Sequence, residues 1–415
     1  MGSFKKISER LFIIGNLPSS IGDFSHLEKL DLSFNNFFGE VPMELVANCT
    51  RLDILWLSNN NFHGEIFSKN FILSLSFLKL KNNYFTGTLP VVHLTVQYLD
   101  ISNNHMSGII PIWMVNNSDI EIVDLSNNIF EGEIPCGLVT FDTLDLSHNL
   151  LSGLLPSCLN LENVQHLLLR GNNLTGSLPK VVLNSSLLEM LDMRDNSFSG
   201  DIPKEIDRLS NLKVLLLSGN QFSGMIPKQL CWLNNIGIMD LSRNFFSGTI
   251  PYCFYNLTFG KLAASEFVYR YYDFVRTSGY SFPYKFLLNK DYEIEETDFY
   301  FFNMPVKIEL LMKNRSNLYQ GFIIGIMSTL DLSFNNLIGE IPPELGQLSS
   351  IFALNLSHNQ LNGSITKTFS SLTQLESLDL SHNNLSEEIP SALTDLTFLA
   401  VFTIAYNNLS GKFQK

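Results

Sequence analysis

The stretch Met327–Pro342, MSTLDLSFNNLIGEIP, recurs as a skeleton along most of the 415-residue chain. Its fixed points are Leu330, Leu332, Ser333, Asn335, Leu337, Gly339, Ile341 and Pro342. The Asn marks each copy: Asn35, Asn60, Asn83, Asn104, Asn128, Asn149, Asn172, Asn196, Asn220 and Asn244, then, after a long gap, Asn335, Asn359, Asn383 and Asn407. Successive copies lie 21 to 25 residues apart, mostly 24. A period of this size marks a stacked array and has to be read before any single element.

Each fixed point has a physical task. Leu330 and Leu332 alternate with exposed residues, so LxL is a short strand with one buried face. Such strands stack at about 4.8 Å into a parallel sheet along one side of a solenoid. The amide of Asn335 both donates and accepts, so a column of these Asn residues satisfies backbone groups that a tight turn leaves unpaired. Gly339 permits positive φ, and Ile341-Pro342 starts the return segment with a fixed φ. One coil cannot bury its own leucines, so stability comes from its neighbours. The template is a leucine-rich repeat, and the fold class it predicts is an α/β-type repeat solenoid of about 14 coils with a parallel β-sheet on the concave face.

The run Leu332-Ser333-x-Asn335 followed by Gly339-Glu340-Ile341-Pro342 resembles the plant-type repeat of cell-surface receptor kinases and receptor-like proteins. The resemblance implies a second, lateral strand at GxIP that adds twist to the solenoid.

Bulk properties narrow the function. With 27 Lys and Arg against 40 Asp and Glu, the net charge is −13, which argues against nucleic acid, whose partners need a basic surface. No run of 18 apolar residues exists, so no membrane span is expected, and MGSFKKISERLFIIG is too short in apolar residues for a signal-peptide core. No nucleophile–His–acid set, phosphate loop or metal cluster is found, so neither an enzyme, a cofactor nor a small-molecule substrate is expected.

In order along the chain, residues 1–22 read as a repeat cut in half. Gly15-Asn16-Leu17-Pro18 is the tail of a copy, and Leu11 stands where its Asn belongs. A truncated array is the favoured reading, a degenerate first repeat serving as cap the alternative. Repeats one to ten occupy 23–251. Most place Asp on the exposed strand face, as in Asp31, Asp100, Asp124, Asp145, Asp192, Asp240, Asp331 and Asp379. Because this is the template itself recurring, it is structural rather than an acid–base or metal site. Departures carry more information: Trp56, Lys79, Lys81, Tyr98, His166, Leu168, Arg170, Arg194 and Arg243. Aromatic and Arg side chains anchor protein interfaces, so Trp56, Lys79, Lys81, Tyr98, His166, Arg170, Arg194 and Arg243 form the candidate ligand-binding strip, with scattered surface variation as the alternative.

Cys136 and Cys158, like Cys231 and Cys253, are 22 residues apart on adjacent coils. Stacking brings such positions within disulfide reach, so Cys231–Cys253 and Cys136–Cys158 are expected bonds and Cys49 the odd thiol. Reduced cysteines packed as small apolar residues are the alternative. Ten N-x-S/T sequons occur, three of them written by the template's own NNLS or NNLT. Their phase says more than their number. Asn48, Asn116, Asn184 and Asn256 each lie 20 or 21 residues after their repeat's first apolar residue, three repeats apart, on one stripe away from the strands. With Asn314 they are the candidate glycosylation sites of an extracellular chain.

Residues 252–326 lack the template and are crowded with Tyr and Phe, followed by an acidic stretch from Asp291 to Asp298 and an apolar run at Val306–Met312. This is read as an island inserted in the array and partly folded onto it, because so many rings need burial. Four repeats follow in 327–415. An island followed by about four repeats resembles plant receptor-like proteins, which lack a kinase domain. Met312-Lys313-Asn314-Arg315-Ser316 and Tyr319-Gln320-Gly321 resemble that family's end-of-island sequence.

The resemblance implies the ligand-binding ectodomain of a plasma-membrane receptor. It would face the outside, recognise an extracellular peptide or protein, and signal through partner receptor kinases in defence or development. It also points to Arg315 and Tyr319 in the island and to Phe334, His358, His382 and Tyr406 on the last coils as ligand or co-receptor contacts. Against the family pattern, neither signal peptide nor transmembrane helix is found, Glu387 replaces a template Gly, and Thr366 replaces a Pro. A soluble interaction, inhibitor or decoy protein, or a fragment of a receptor gene, is the alternative.

Overall fold

The computed structural model describes residues 13–67, 75–90, 94–116, 120–136, 142–257, 259, 307–312, 315–320, 324 and 327–411. They belong to two compact units: Met1–Ser185 with Asp195–Ser197, and Ser186–Arg194 with Phe198–Lys415.

In the first unit the LxL strands are Lys29–Asp31, Ile54–Trp56, Phe77–Lys79, Tyr98–Asp100, Ile122–Asp124, Thr143–Asp145 and His166–Leu168. All pair parallel and in step, so Leu55 faces Leu78, and Leu78 faces Leu99, along a buried row. In the second unit the same strands are Met190–Asp192, Val214–Leu216, Ile238–Asp240, Thr329–Asp331, Ala353–Asn355, Ser377–Asp379 and Val401–Thr403. The strand before the inserted segment pairs directly with the one after it: Ile238 faces Thr329 and Asp240 faces Asp331. The insertion therefore leaves the sheet without interrupting its register.

The buried rows follow from the template. Leu125, Leu217 and Leu332 are fully buried, while Leu32 in the first complete coil is half-buried. Burying one such side chain is worth about 2 kcal/mol. A second row is less evident from the Leu template. At the position two residues after the Asn, Phe37, Phe62 and Phe85 stack with centroids 5.8 and 6.1 Å apart. Phe198, Phe222 and Phe246 stack at 6.3 Å per step.

The Asn column performs the task its chemistry allows. Asn60 Nδ2 donates to the carbonyls of Leu57 (3.1 Å) and, one coil back, Leu32 (2.8 Å), while its Oδ1 accepts from Phe37 N–H (3.0 Å). Asn335 closes the stack across the insertion, donating to Leu241 O and accepting from Phe246 N–H, both at 3.0 Å. Buried amides used this fully are worth more to the fold than any exposed polar contact.

After most of the Asn residues comes a short second strand ending near the template Gly, as in Asn36–Gly39 and Asn336–Glu340; after Asn383 and Asn407 only isolated bridges form. Gly339 has φ 84°, and a Cβ there would meet Thr249 Cγ2 at 3.0 Å. Glu387 occupies the same place at φ 67°, a left-handed backbone carried by a residue with a Cβ. The template Pro then caps a single helical turn on the back of the coil, such as Pro343–Gln347 after Pro342. Thr366, which replaces that Pro, caps its own turn instead, its hydroxyl accepting from Thr368 N–H at 3.3 Å. The turn Tyr252–Asn256 is the back of the tenth coil, although it falls in the segment assigned above to the island.

Two cysteine pairs span adjacent back turns. Cys136 is bonded to Cys158 and Cys231 to Cys253, with Cα atoms 5.4 and 5.7 Å apart. Cys49 is a buried free thiol whose pKa burial raises. In the inserted segment, Lys307–Met312 and Arg315–Gln320 form an antiparallel pair with Ile308 opposite Tyr319.

Candidate functional site

The exposed face of the LxL sheet is set by two kinds of residue: those flanking the first Leu and those after the second. The recurrent Asp is held by the chain two residues on. Asp124 Oδ1 accepts from Ser126 N–H (3.0 Å) and Ser126 Oγ–H (2.6 Å), and the same pair of bonds recurs at Asp100, Asp145, Asp240 and Asp379. The Asp-x-Ser pattern is thus a turn device that ties each strand to its exit. Among the described residues no group of carboxylates, histidines and thiols is arranged to hold a metal.

In the first unit, departures from the template converge on neighbouring strands. Register puts Trp56 beside Lys79, and Phe77 beside Tyr98. Lys79 Nζ lies 5.0 Å from the centroid of the Trp56 ring and 4.8 Å from that of Tyr98. Phe77 stacks on Tyr98 at 6.4 Å. On the other side of the indole, Lys29 Nζ sits 4.0 Å from its centroid. Trp56 and Tyr98 are buried beneath these ammonium groups, which attract the faces of both rings.

Lys81 is on the same side of the sheet with a different role. Its Nζ lies 3.6 Å from Asp124 and 3.9 Å from Asp100. Burial and Asp124 push Asp100 up to about 6, against the pull of Lys81 and Ser102. Further along the unit, His166 Nδ1 shares a hydrogen bond with Thr143 Oγ1 (2.9 Å), and Arg170 Nε donates to Asp195 Oδ2 (2.9 Å).

In the second unit, Arg194 is buried. Its Nε and Nη2 donate to the two oxygens of Asp192 at 2.9 and 2.6 Å, and its Nη1 donates to the carbonyl of Glu309 at 2.5 Å. Both carboxylate oxygens are thereby engaged, and Nη1 fastens the Lys307–Met312 strand to the repeat sheet. An exposed anchor was expected here, and the side chain instead joins the array to the inserted segment. Asp240 and Asp331 face each other on adjacent strands, held by Ser218, Ser242, Ser333 and Asn355. Burial, then Asp240, push Asp331 up to about 7.

Phe334, His358, His382 and Tyr406 form a ladder. Each precedes the template Asn and has φ between 50° and 54°, which throws its ring to one side of the coil. Centroids are 3.9, 4.0 and 4.1 Å apart in chain order, and the Arg243 guanidinium caps Phe334 at 5.7 Å. Phe334 and Tyr406 are exposed. Burial, then His382, lower the pKa of His358, with Asp379 opposing. Tyr319 is half-buried in the inserted hairpin, and the side chain of Arg315 lies outside the described residues. Of the sequons, Asn48 and Asn256 end back turns and Asn184 caps one; all three are exposed. Asn116 ends the turn Ile112–Asn116, while Asn314 lies outside the described residues.

Lys29 was missed from sequence. It stands in an ordinary exposed strand position, and only the register of Lys29–Asp31 against Ile54–Trp56 sets it beside the indole.

Two family models described as leucine rich repeat match the chain, one at residues 26–48, 95–117, 140–161, 163–184, 187–209, 211–233 and 235–257, the other at 327–385. Receptor-like protein 13 of Arabidopsis thaliana is 45% identical over 53 residues, which is 13% of this chain and 5% of the relative. Cuscuta receptor 1 of Solanum lycopersicum is 44% identical over 58 residues, 14% of this chain and 5% of the relative. Among solved structures, PEPR1 bound to AtPEP1 aligns with TM-score 0.71 and 26% identity over 97% of this chain and 52% of its own. The Arabidopsis receptor kinase HAESA ectodomain, bound to an IDA peptide hormone, aligns with TM-score 0.69 and 28% identity over 96% and 60%. A Leptospira interrogans repeat protein aligns at TM-score 0.64 with 23% identity, which shows the fold alone. The chain spans little more than half the length of the receptor ectodomains it resembles, and its matched segments cover a quarter or less of the curated relatives.

Proposed function

Because the chain belongs to the leucine-rich repeat family, as a receptor-like ectodomain of the plant type, we propose that it binds an extracellular peptide or protein on its strand face and acts with partner receptor kinases. The observation that carries this reading is the break in the Asp-x-Ser template at Trp56 and Lys79, beside Tyr98 on the next strand. Two adjacent strands there exchange a self-satisfied turn device for an indole and an ammonium group, and the third, which keeps Asp100–Ser102, adds the Tyr98 ring. Aromatic and cationic side chains set together in this way are the usual anchors of a protein interface.

Three further features support it. Among similar solved ectodomains, HAESA holds a peptide hormone and PEPR1 holds AtPEP1. The sequons at Asn48, Asn116, Asn184 and Asn256 stand on back turns, so glycans there would leave the strand face bare. The ladder from Phe334 to Tyr406 offers a flat aromatic edge suited to a partner receptor. No helix among the described residues is long and apolar enough to cross a membrane.

The test is selection of a random peptide library on the secreted ectodomain. Enriched peptides should lose binding to a Trp56→Ala, Lys79→Ala double variant. Undiminished binding would remove the strand face of the first unit from the proposal.

A further inference from the structure

We propose that Asn173, Asn362, Asn384 and Asn408 are N-linked glycosylation sites on the lateral segments of their coils, while the sequon at Asn355 stays unmodified. The inference rests on the extracellular reading above and adds which side of the ring ladder stays open to a partner.

The segment after each column Asn alternates with period two, so residues two apart share a face. The doublet Asn172-Asn173 puts one amide on each side of it. Asn172 points inward, where it donates to Leu146 O (2.9 Å) and Leu169 O (3.1 Å) and accepts from Leu151 N–H (3.0 Å). Asn173 points outward and is exposed. The same division holds at Asn383-Asn384 and Asn407-Asn408. Asn383 and Asn407 donate to Leu356 O and Leu380 O at 2.9 Å and accept from Leu361 and Leu385 N–H at 3.0 Å. Asn384 and Asn408 are exposed. Their alternation is kept by backbone bonds: Asn384 and Ser386 N–H donate to Leu361 O and Gly363 O at 2.7 and 2.8 Å, and Asn408 and Ser410 N–H to Leu385 O and Glu387 O at 2.8 and 2.9 Å.

The sequon reads only the outer member of each doublet, because the hydroxyl it requires lies two residues on. Thr175, Ser386 and Ser410 therefore share the outer face with their Asn. Asn362, at the end of the strand Gln360–Asn362, and Ser364 just past it are likewise both exposed. Exposure is matched by freedom. Among the described residues the side chains of Asn173, Asn362, Asn384 and Asn408 make no hydrogen bond.

Asn355-Leu356-Ser357 is a sequon of another kind. Asn355 is half-buried on an LxL strand, its Nδ2 donating to Asp331 Oδ2 (3.0 Å) and its Oδ1 accepting from Ser357 N–H (3.1 Å) and Oγ–H (2.8 Å). Ser357 is itself buried. A sugar on this amide would have to stand where the strands meet.

In the transfer, Asn Nδ2 forms a bond to the anomeric carbon of an oligosaccharide carried on a lipid diphosphate. The bond from that carbon to the diphosphate oxygen breaks, the diphosphate leaves with the lipid, and it takes one Nδ2 proton. Asn384 and Asn408 follow His382 and Tyr406 by two residues, so sugars there flank the ring ladder on its lateral side. A partner that reads the ladder then approaches from the side of the LxL strands.

The test is to produce the full chain in the secretory pathway of plant cells, digest it, and treat the peptides with PNGase A in heavy-oxygen water. Each glycosylated Asn becomes a labelled Asp, read by mass spectrometry. Label is expected at Asn173, Asn362, Asn384 and Asn408, alongside the back-turn sites Asn48 and Asn256, and not at Asn355. Ser386→Ala should abolish it at Asn384 alone. Ile338→Thr should create it at Asn336, which is exposed in the same outward position and lacks only the hydroxyl.

Label at Asn48 and Asn256 with none at the four lateral sites would overturn the inference and leave the extracellular reading standing. Label at Asn355 equal to that at Asn384 would overturn the sorting by side-chain freedom, as would an unlabelled Asn336 in Ile338→Thr. A secreted chain without label at any sequon would overturn the inference together with the glycan support for a bare strand face, and the library selection would then judge ligand binding separately.

Discussion

The Asp100–Asp124 pair of the first unit and the Asp240–Asp331 pair of the second occupy the same rank of the repeat and meet different electrostatics. Both pairs face each other across neighbouring parallel strands. In the first, Lys81 stands in for the template Ser and places an ammonium within 4 Å of both carboxylates. In the second, two hydroxyls, a backbone N–H and a side-chain amide satisfy the oxygens, and no cation among the described residues pairs with either. The consequence shows in protonation: Asp100 is pushed up to about 6 and Asp331 to about 7. Hydrogen bonds complete the geometry of a buried carboxylate, but only a counter-charge offsets the repulsion between two of them.

Arg194 is the strongest case of a clamped carboxylate, and removing it should have the largest effect. Arg194→Met strands the buried Asp192 and releases the Glu309 carbonyl, so a loss of about 3 kcal/mol is expected in denaturant unfolding. Amide exchange should quicken across Lys307–Met312 in particular. Unchanged exchange there would show that the hairpin is held by other contacts. Next in size is Lys81→Met, expected to cost about 2 kcal/mol at neutral pH, because Lys81 is partly solvated. The cost should disappear in acid, where both carboxyls are protonated. A Lys81→Met, Asp124→Asn double variant should recover most of it.

The uncompensated pair should respond with opposite sign. The folded pKa of Asp331, about 7, lies above its ordinary value of 3.8, so the folded state holds the proton more tightly than the unfolded one. Stability therefore falls as pH rises from about 4 through about 7. Asp331→Asn should gain at least about 1 kcal/mol at pH 8 and nothing at pH 4, read as a midpoint shift in urea at the two pH values. A gain at both would mean that packing rather than charge is responsible.

The smallest effect belongs to the ring ladder. His358 has its pKa lowered, chiefly by burial and then by His382, so the neutral ring is the one that stacks. Its contribution is whole above pH 6.5 and lost as pH falls below it. His358→Phe should abolish that loss, a difference of a few tenths of a kcal/mol after solvent screening. Comparing unfolding of wild type and variant at pH 5 and pH 7.5 would detect it.

What the sequence discloses depends on how local each device is. The LxL strands, the Asn column and the positive-φ Gly are written within a single coil, so Leu330, Asn335 and Gly339 define them. The Asp-x-Ser tie spans two residues, and reading it as structure needed only its recurrence. Lateral relations are harder. That Lys79 covers both Trp56 and Tyr98 follows from strand register, which the repeat phase nearly fixes. That Lys29 covers the other side needs the same register applied to a residue of ordinary appearance. The Arg194–Glu309 contact joins positions 115 residues apart, one of them in a segment without any period, and nothing local encodes it. The Phe row at Phe62, Phe85, Phe198 and Phe222 could have been found from the recurrence of Phe two residues after the Asn.

The account turns on where a ligand sits. Amide hydrogen exchange of the ectodomain with and without a library-selected peptide measures this directly. Protection is predicted across Ile54–Trp56, Phe77–Lys79 and Tyr98–Asp100, with the back turns Met43–Asn48 and Ile112–Asn116 unchanged. Protection confined to the back turns, with those three strands exchanging as in the free protein, would contradict it.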